Sequence, residues 1–180
     1  MSILCVARCK PVERIALDGE AQRTLEYWQS LREGNALPSR DRFSPAHVKL
    51  ALPRLMLMQV WPHERLVCRL AGTAIGRIMG GDLTGTDILA STPVDFRVER
   101  LRRYSNCFDG FLHWSQRIVK GADDTQIKSG LLILPFADIS EDGSHQALVY
   151  VSWSPADYDG RLRTAESAFV APEQSQYFAV

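Results

Sequence analysis

The stretch from Thr92 to Gly110 restricts the fold of this chain most. Thr92 and Pro93 suit an N-cap and a first helical position, and Asp95 suits the first turn. Val94, Val98, Leu101, Tyr104 and Phe108 then recur every three or four residues, the period of an amphipathic helix. Arg97, Arg100, Arg102 and Arg103 read as its solvated side, and Gly110 as its stop. Strand-like runs flank this helix on both sides. Leu55–Trp61 and Arg65–Ala71 precede it, joined tightly through Pro62, His63 and Glu64 as an antiparallel hairpin. Three more runs follow it, at Phe111–Val119, Gln126–Ala137 and His145–Ser154, separated by the turn sequences Ala122-Asp123-Asp124 and Glu141-Asp142-Gly143.

Shorter helical signals complete the order. Ala21, Leu25, Trp28 and Leu31 form an apolar stripe over residues 19–33, with Asp18 placed to cap its start and Gly34-Asn35 to end it. Ser44-Pro45 opens a short helix that runs to Leu50 and is ended by Pro53. Gly72-Thr73 opens another over Ala74–Met79, closed by Gly80-Gly81. The sum is an α+β layout: a five-stranded antiparallel sheet with helices on one face, a further helix at the N-terminal side, and room for a cavity beneath the helical cap. The expected organisation is an N-terminal arm over residues 1–18, one domain over 19–155 and a C-terminal tail over 156–180.

Composition excludes several functional classes. The 180 residues are 46% hydrophobic and 23% charged, enough for a sizeable core, and 21 Lys and Arg balance 21 Asp and Glu. No global field draws such a chain to nucleic acid or to an anionic membrane surface. The longest apolar runs, Leu55–Met58 and Leu131–Phe136, are too short to span a bilayer, and Arg8, Lys10 and Glu13 interrupt the apolar N-terminus. A cytoplasmic protein is expected. Cys5, Cys9, Cys68 and Cys107 read as free thiols, and no cysteine or histidine pair stands at metal-ligand spacing.

Catalytic and nucleotide-binding motifs are missing too. The glycines at 72, 76, 80, 81 and 85 fit neither a dinucleotide fingerprint nor a phosphate loop, and read as helix stops and tight turns. No nucleophile elbow or histidine–carboxylate motif is present, so an enzyme is not expected. His113 reads as a satisfied sheet histidine; His47, His63 and His145 fall in loops or at element ends.

The order of elements is that of a PAS domain, and several short segments sharpen the likeness. They are Tyr27-Trp28-Gln29-Ser30-Leu31-Arg32, Leu37-Pro38-Ser39-Arg40, Leu52-Pro53, Arg69-Leu70-Ala71-Gly72-Thr73-Ala74-Ile75 and Gly80-Gly81-Asp82-Leu83-Thr84-Gly85. In their order and spacing, over about residues 20–155, they resemble the fifth PAS grouping, a bacterial subfamily of small stand-alone PAS proteins. The resemblance implies a sensory or regulatory module that binds a small molecule, meets a signalling protein, or pairs with itself through a flanking N-terminal helix. It implies no particular cofactor. Cys107 lies at the end of the long helix, not where blue-light PAS proteins carry a flavin-linking cysteine, and that helix holds no histidine for haem.

Two readings therefore stand side by side. In the first, a cavity takes a small apolar or amphipathic ligand. Its candidate residues are Met56, Met58, Leu70, Ile75, Leu101, Tyr104, Trp114, Leu132 and Trp153, with Arg69 as an anchor for an anionic group. Strand alternation does not say which parity faces inward. In the second, the core is filled and the chain is an interaction module, a homodimer formed through the helix over 19–33 with Leu25, Trp28 and Leu31 shared between core and partner.

Overall fold

A computed structural model describes residues 17–62, 64–155, 158, 160–162 and 174–179. Cys5, Cys9, His63 and most of the expected arm and tail lie outside the described residues.

The first helix, α1, spans Gly19–Ser30. Asp18 caps it: its Oδ1 accepts the backbone N–H groups of Glu20 at 3.1 Å and Ala21 at 2.9 Å. The same carboxylate accepts the Tyr150 hydroxyl at 3.0 Å, which ties the start of the helix to the sheet. Short 3-10 turns follow at Arg40–Arg42, Pro45–Val48 and Leu52–Arg54. The hairpin forms as the sequence predicts, with β1 at Leu55–Trp61 and β2 at Arg65–Ala71. Helices α2, Thr73–Met79, and α3, Val94–Ser105, come next; a 3-10 turn, Asn106–Asp109, extends α3. Strands β3 (Phe111–Lys120), β4 (Gln126–Ile139) and β5 (His145–Ser154) follow. Gln174–Ala179 adds β6, a strand the sequence pattern does not announce.

All pairings are antiparallel, and the spatial order is β2-β1-β5-β4-β3-β6. The result is an α+β fold whose antiparallel sheet has six strands instead of the expected five. Both of its faces are covered. Leu112, Trp114, Leu132, Leu134, Leu148, Tyr150 and Phe178 turn toward α1, where Ala21, Leu25 and Trp28 meet them. The opposite parity, with Met58, Ile133, Ala147 and Val149, turns toward α3. A strand buried on both faces loses its polar alternation, which accounts for the unbroken apolar run Leu131–Phe136 in β4.

Pro135 lies in that run without breaking the sheet, because pairing with β3 has ended by Ile133. The Pro135 carbonyl accepts the Trp28 indole N–H at 3.0 Å, and the Ala137 N–H donates to the Pro38 carbonyl at 2.9 Å. The α1 helix and its connector thus satisfy the stretch of β4 that outruns its neighbour.

β6 lies along β3 and forms one margin of the sheet. On the far side, the segment between α2 and α3 runs beside β2: Cys68 N–H donates to Thr86 O at 3.0 Å, Gly85 N–H to Cys68 O at 2.7 Å, and Ile88 N–H to Leu66 O at 2.8 Å. Gly80 ends α2 in the left-handed region at φ 82°, a conformation glycine adopts without a Cβ penalty.

The α3 surface differs from the expected stripe. Leu101 and Tyr104 are buried, but Val94 is 71% and Val98 78% exposed. Arg103, expected in solvent, is only 7% exposed. The helix is rotated so that its inner side runs through residues 100, 101, 103 and 104, and its N-terminal turn stands off the sheet. Thr92 does not act as the N-cap; its hydroxyl donates to Ile88 O at 2.6 Å and accepts from Arg100 Nη1 at 2.8 Å.

Candidate functional site

A cavity of about 90 Å³ lies between α2, α3 and the sheet. Its floor is the parity of β1, β3, β4 and β5 that faces away from α1: Met56, Met58, Val119, Ile127, Leu131, Val151 and Trp153. Its roof is Ile75, Ile78 and Met79 of α2, Leu83 and Ile88 of the linker, and Tyr104 of α3. Leu162 closes one side, held there by its N–H donating to Ile78 O at 2.8 Å. Arg54 stacks over the indole of Trp153, 4.2 Å from the ring centre.

Five of the residues expected to meet a ligand line this space: Met56, Met58, Ile75, Tyr104 and Trp153. Strand parity removes two others. Trp114 and Leu132 are buried on the α1 face, with the thickness of the sheet between them and the cavity. Leu101 is buried beneath α3 without reaching the cavity. Arg69 and Leu70 point outward from β2, so Arg69 anchors nothing in the interior. The residues expected at a dimer contact all pack on the core. Leu25 and Trp28 are 1% and 0% exposed, spent on the chain's own sheet, and Leu31 is half-buried against the same core.

Two charged residues of the lining are not among the residues the sequence led us to expect there. Arg100 of α3 and Arg117 of β3 both belong to the cavity wall. Over the whole residue each is half-buried, but the crowding around the charged ends is severe. Both guanidinium pKa values are lowered to about 10, chiefly by burial, with Arg103 acting in the same direction and Tyr104 against it. Tyr104 is pushed above the usual phenol range by burial, against the pull of Arg100, Arg103 and Arg117. Arg103 has a carboxylate partner, with its Nε 3.5 Å from Glu99 Oε1. Sequence periodicity sets Arg100 apart from the stripe of Leu101 and Tyr104, and only the rotation of α3 brings it inward. Strand alternation does mark Arg117, which shares parity with Val119.

His113 is buried beside Tyr177, their rings 4.6 Å apart. It is not the satisfied sheet histidine expected, since neither ring nitrogen has a hydrogen-bond partner among the described residues. Burial, helped by Arg103, lowers its pKa to about 3, so the ring is neutral at neutral pH. Cys68 and Cys107 are free and buried. No helix among the described residues is long and apolar enough to cross a membrane.

Helices α2 and α3 packed across one face of an antiparallel sheet, with a cavity beneath them, is the arrangement the element order anticipated. A family profile described as PAS domain matches residues 19–148. The chain belongs to the PAS family. Within it, the match is to the fifth subfamily, the grouping its short segments resemble. It takes in α1 and most of the sheet, and stops before β6. No curated protein matches the chain. PAS domains are in general sensory or regulatory modules, and that general role extends to this one.

Proposed function

We propose that this PAS domain takes up a small amphipathic molecule between α2, α3 and the sheet and passes its occupancy on through contacts with another protein, without catalysing a reaction. The observation that carries this reading is the cavity of about 90 Å³, lined mainly by apolar side chains. Met56, Met58 and Met79 add unbranched thioether side chains, which repack around a guest more readily than branched ones. The α3 helix joins this space to the surface: Arg100 and Tyr104 face inward and Val94 and Val98 outward. An occupant that shifts α3 therefore alters what the surface presents. The filled-core dimer reading loses support because Leu25 and Trp28 are consumed inside the chain.

The test is a titration of the ¹⁵N-labelled protein with small amphipathic fragments (short alcohols, amides and acids), beside a variant with the cavity filled, Val151→Phe. Amide shifts clustered on Ile75, Tyr104 and Val151 in the wild type, and absent from the folded variant, support the reading. Equal shifts in both proteins, or no response to any fragment, overturn it. Ser129→Leu fills the same space from β4 if Val151→Phe fails to fold.

A further inference from the structure

Trp153, on the cavity floor, has a buried polar atom with nothing to bind. Its indole N–H meets no hydrogen-bond acceptor among the described residues. The residue is only 7% exposed, so bulk water does not serve instead. In the unfolded chain that N–H is hydrogen-bonded to water, and burying it unpaired gives that bond up. Trp28 shows the ordinary arrangement in the same molecule, its indole N–H donating to Pro135 O at 3.0 Å. Buried donors are nearly always paired. An unpaired one at the wall of a cavity marks a place for an acceptor that arrives with an occupant.

Two neighbours sharpen the site. Arg54 stacks over the indole, 4.2 Å from the ring centre, and a cation over the ring face makes the N–H at its edge a stronger donor. Ser129 of β4 stands directly opposite Trp153 of β5, so its hydroxyl lies on the same face of the sheet, and it too lines the cavity. Two residues along the same strands, Ile127 and Val151 continue that face as apolar surface.

Arg100 and Arg117 both have partners of their own, so the unmet need in this space is that of a neutral donor. A carboxylate would surrender hydration that a neutral donor does not return. A carbonyl oxygen has two lone pairs, one for the indole N–H and one for the Ser129 hydroxyl, and brings no donor that would itself need an acceptor. Size limits what the oxygen is attached to. At about 90 Å³ the space is well below the ~150 Å³ of a cavity that admits benzene.

We propose that the occupant is a short neutral aliphatic carbonyl compound, its oxygen accepting from the Trp153 indole N–H and the Ser129 hydroxyl and its alkyl part lying against Ile127 and Val151. This rests on the sensory reading above and names the chemical class of its ligand.

The experiment titrates the ¹⁵N-labelled full chain at neutral pH with propanone, with 2-methylpropene, which has the same shape and no oxygen, and with acetate, and follows the indole N–H resonances. Trp153→Phe identifies the Trp153 signal and removes the donor while keeping most of the ring. Propanone is expected to move that signal to lower field, and 2-methylpropene to move it far less. Trp153→Phe is expected to weaken propanone about two- to tenfold more than it weakens 2-methylpropene, the worth of one neutral hydrogen bond. Acetate is expected to bind more weakly than propanone. If only 2-methylpropene binds, or if both bind with equal effects on the Trp153 signal and equal losses in the variant, the carbonyl assignment falls and the sensory reading stands. If no probe binds, both fall. Acetate binding as tightly as propanone overturns the assignment. So does a water-to-indole cross-relaxation peak at Trp153 that persists with propanone bound, since a resident water is then the acceptor. Should Trp153→Phe not fold, the wild-type indole resonance, assigned through the Trp153 backbone, decides alone.

Discussion

Replacing Trp28 separates the two roles an N-terminal helix of this kind can have. The side chain is fully buried between α1 and the sheet, and its indole N–H donates to Pro135 O at 3.0 Å. Truncation to alanine removes a large buried side chain, a loss of about 3–5 kcal/mol. It also strips the partner from a carbonyl at the end of β3 pairing, and a buried acceptor left unmet costs about 1–3 kcal/mol more unless water reaches it. Trp28→Phe isolates that second contribution, since most of the ring volume stays. For a chain of this size each kcal/mol moves the melting temperature by about 2–4 °C. The truncation alone therefore lowers it by roughly 6–20 °C, a large share of the whole stability of an ordinary domain. Urea unfolding followed by near-ultraviolet circular dichroism, with size-exclusion chromatography on the same samples, measures both stability and association. If Trp28→Ala changes stability by less than about 1 kcal/mol and instead converts a dimer to a monomer, α1 is an interaction arm and the packing argument is wrong.

Two further predictions follow from buried groups. His113 has a folded pKa of about 3, against an ordinary value of 6.5. Between those values the unfolded chain binds the proton and the folded one does not. Its neutral form therefore supports the fold above pH 6.5, and that support is lost as pH falls toward 3, at up to about 1.4 kcal/mol per pH unit. His113→Phe should flatten this part of the pH–stability curve, and should be at least as stable as wild type at neutral pH because no ring nitrogen then lacks a partner; parallel curves for the two proteins refute the assignment. Gly130, inside β4, has no room for a Cβ, which would collide with the Trp114 ring and the Ser152 hydroxyl. Gly130→Ala should cost about 1–3 kcal/mol in urea unfolding. Combining it with Trp114→Phe should cost less than the sum of the two single changes, since the same ring is relieved.

The elements were legible wherever a local signal and the tertiary packing agreed. Asp18 caps α1 as its position suggests, and Ala21, Leu25 and Trp28 form the buried stripe their spacing describes. The hairpin, the long helix and the three strands after it fall within a few residues of the pattern. Alternation says that residues of one parity share a face, but β4 is apolar on both faces and gives no hint of which parity meets α1. Hence Met58 and Trp153 border the cavity while Trp114 and Leu132 lie on the other side of the sheet. On α3, the spacing sets apolar Val94 and Val98 on the inner face, yet both project into solvent. Arg100 and Arg117 were missed because arginine is ordinarily a surface residue, and only a cavity that accommodates charge makes it worth turning inward. β6 was missed because its six residues carry weak periodicity and pair with a strand about sixty positions earlier.

Residues 85–88 already engage the backbone of β2 on one border of the sheet, and the other border is the six-residue strand β6. Lengthening the sheet with a strand from a second molecule, the common route to fibrous self-assembly, would require residues 85–88 to be peeled away at β2, and at the other border would find only a short edge.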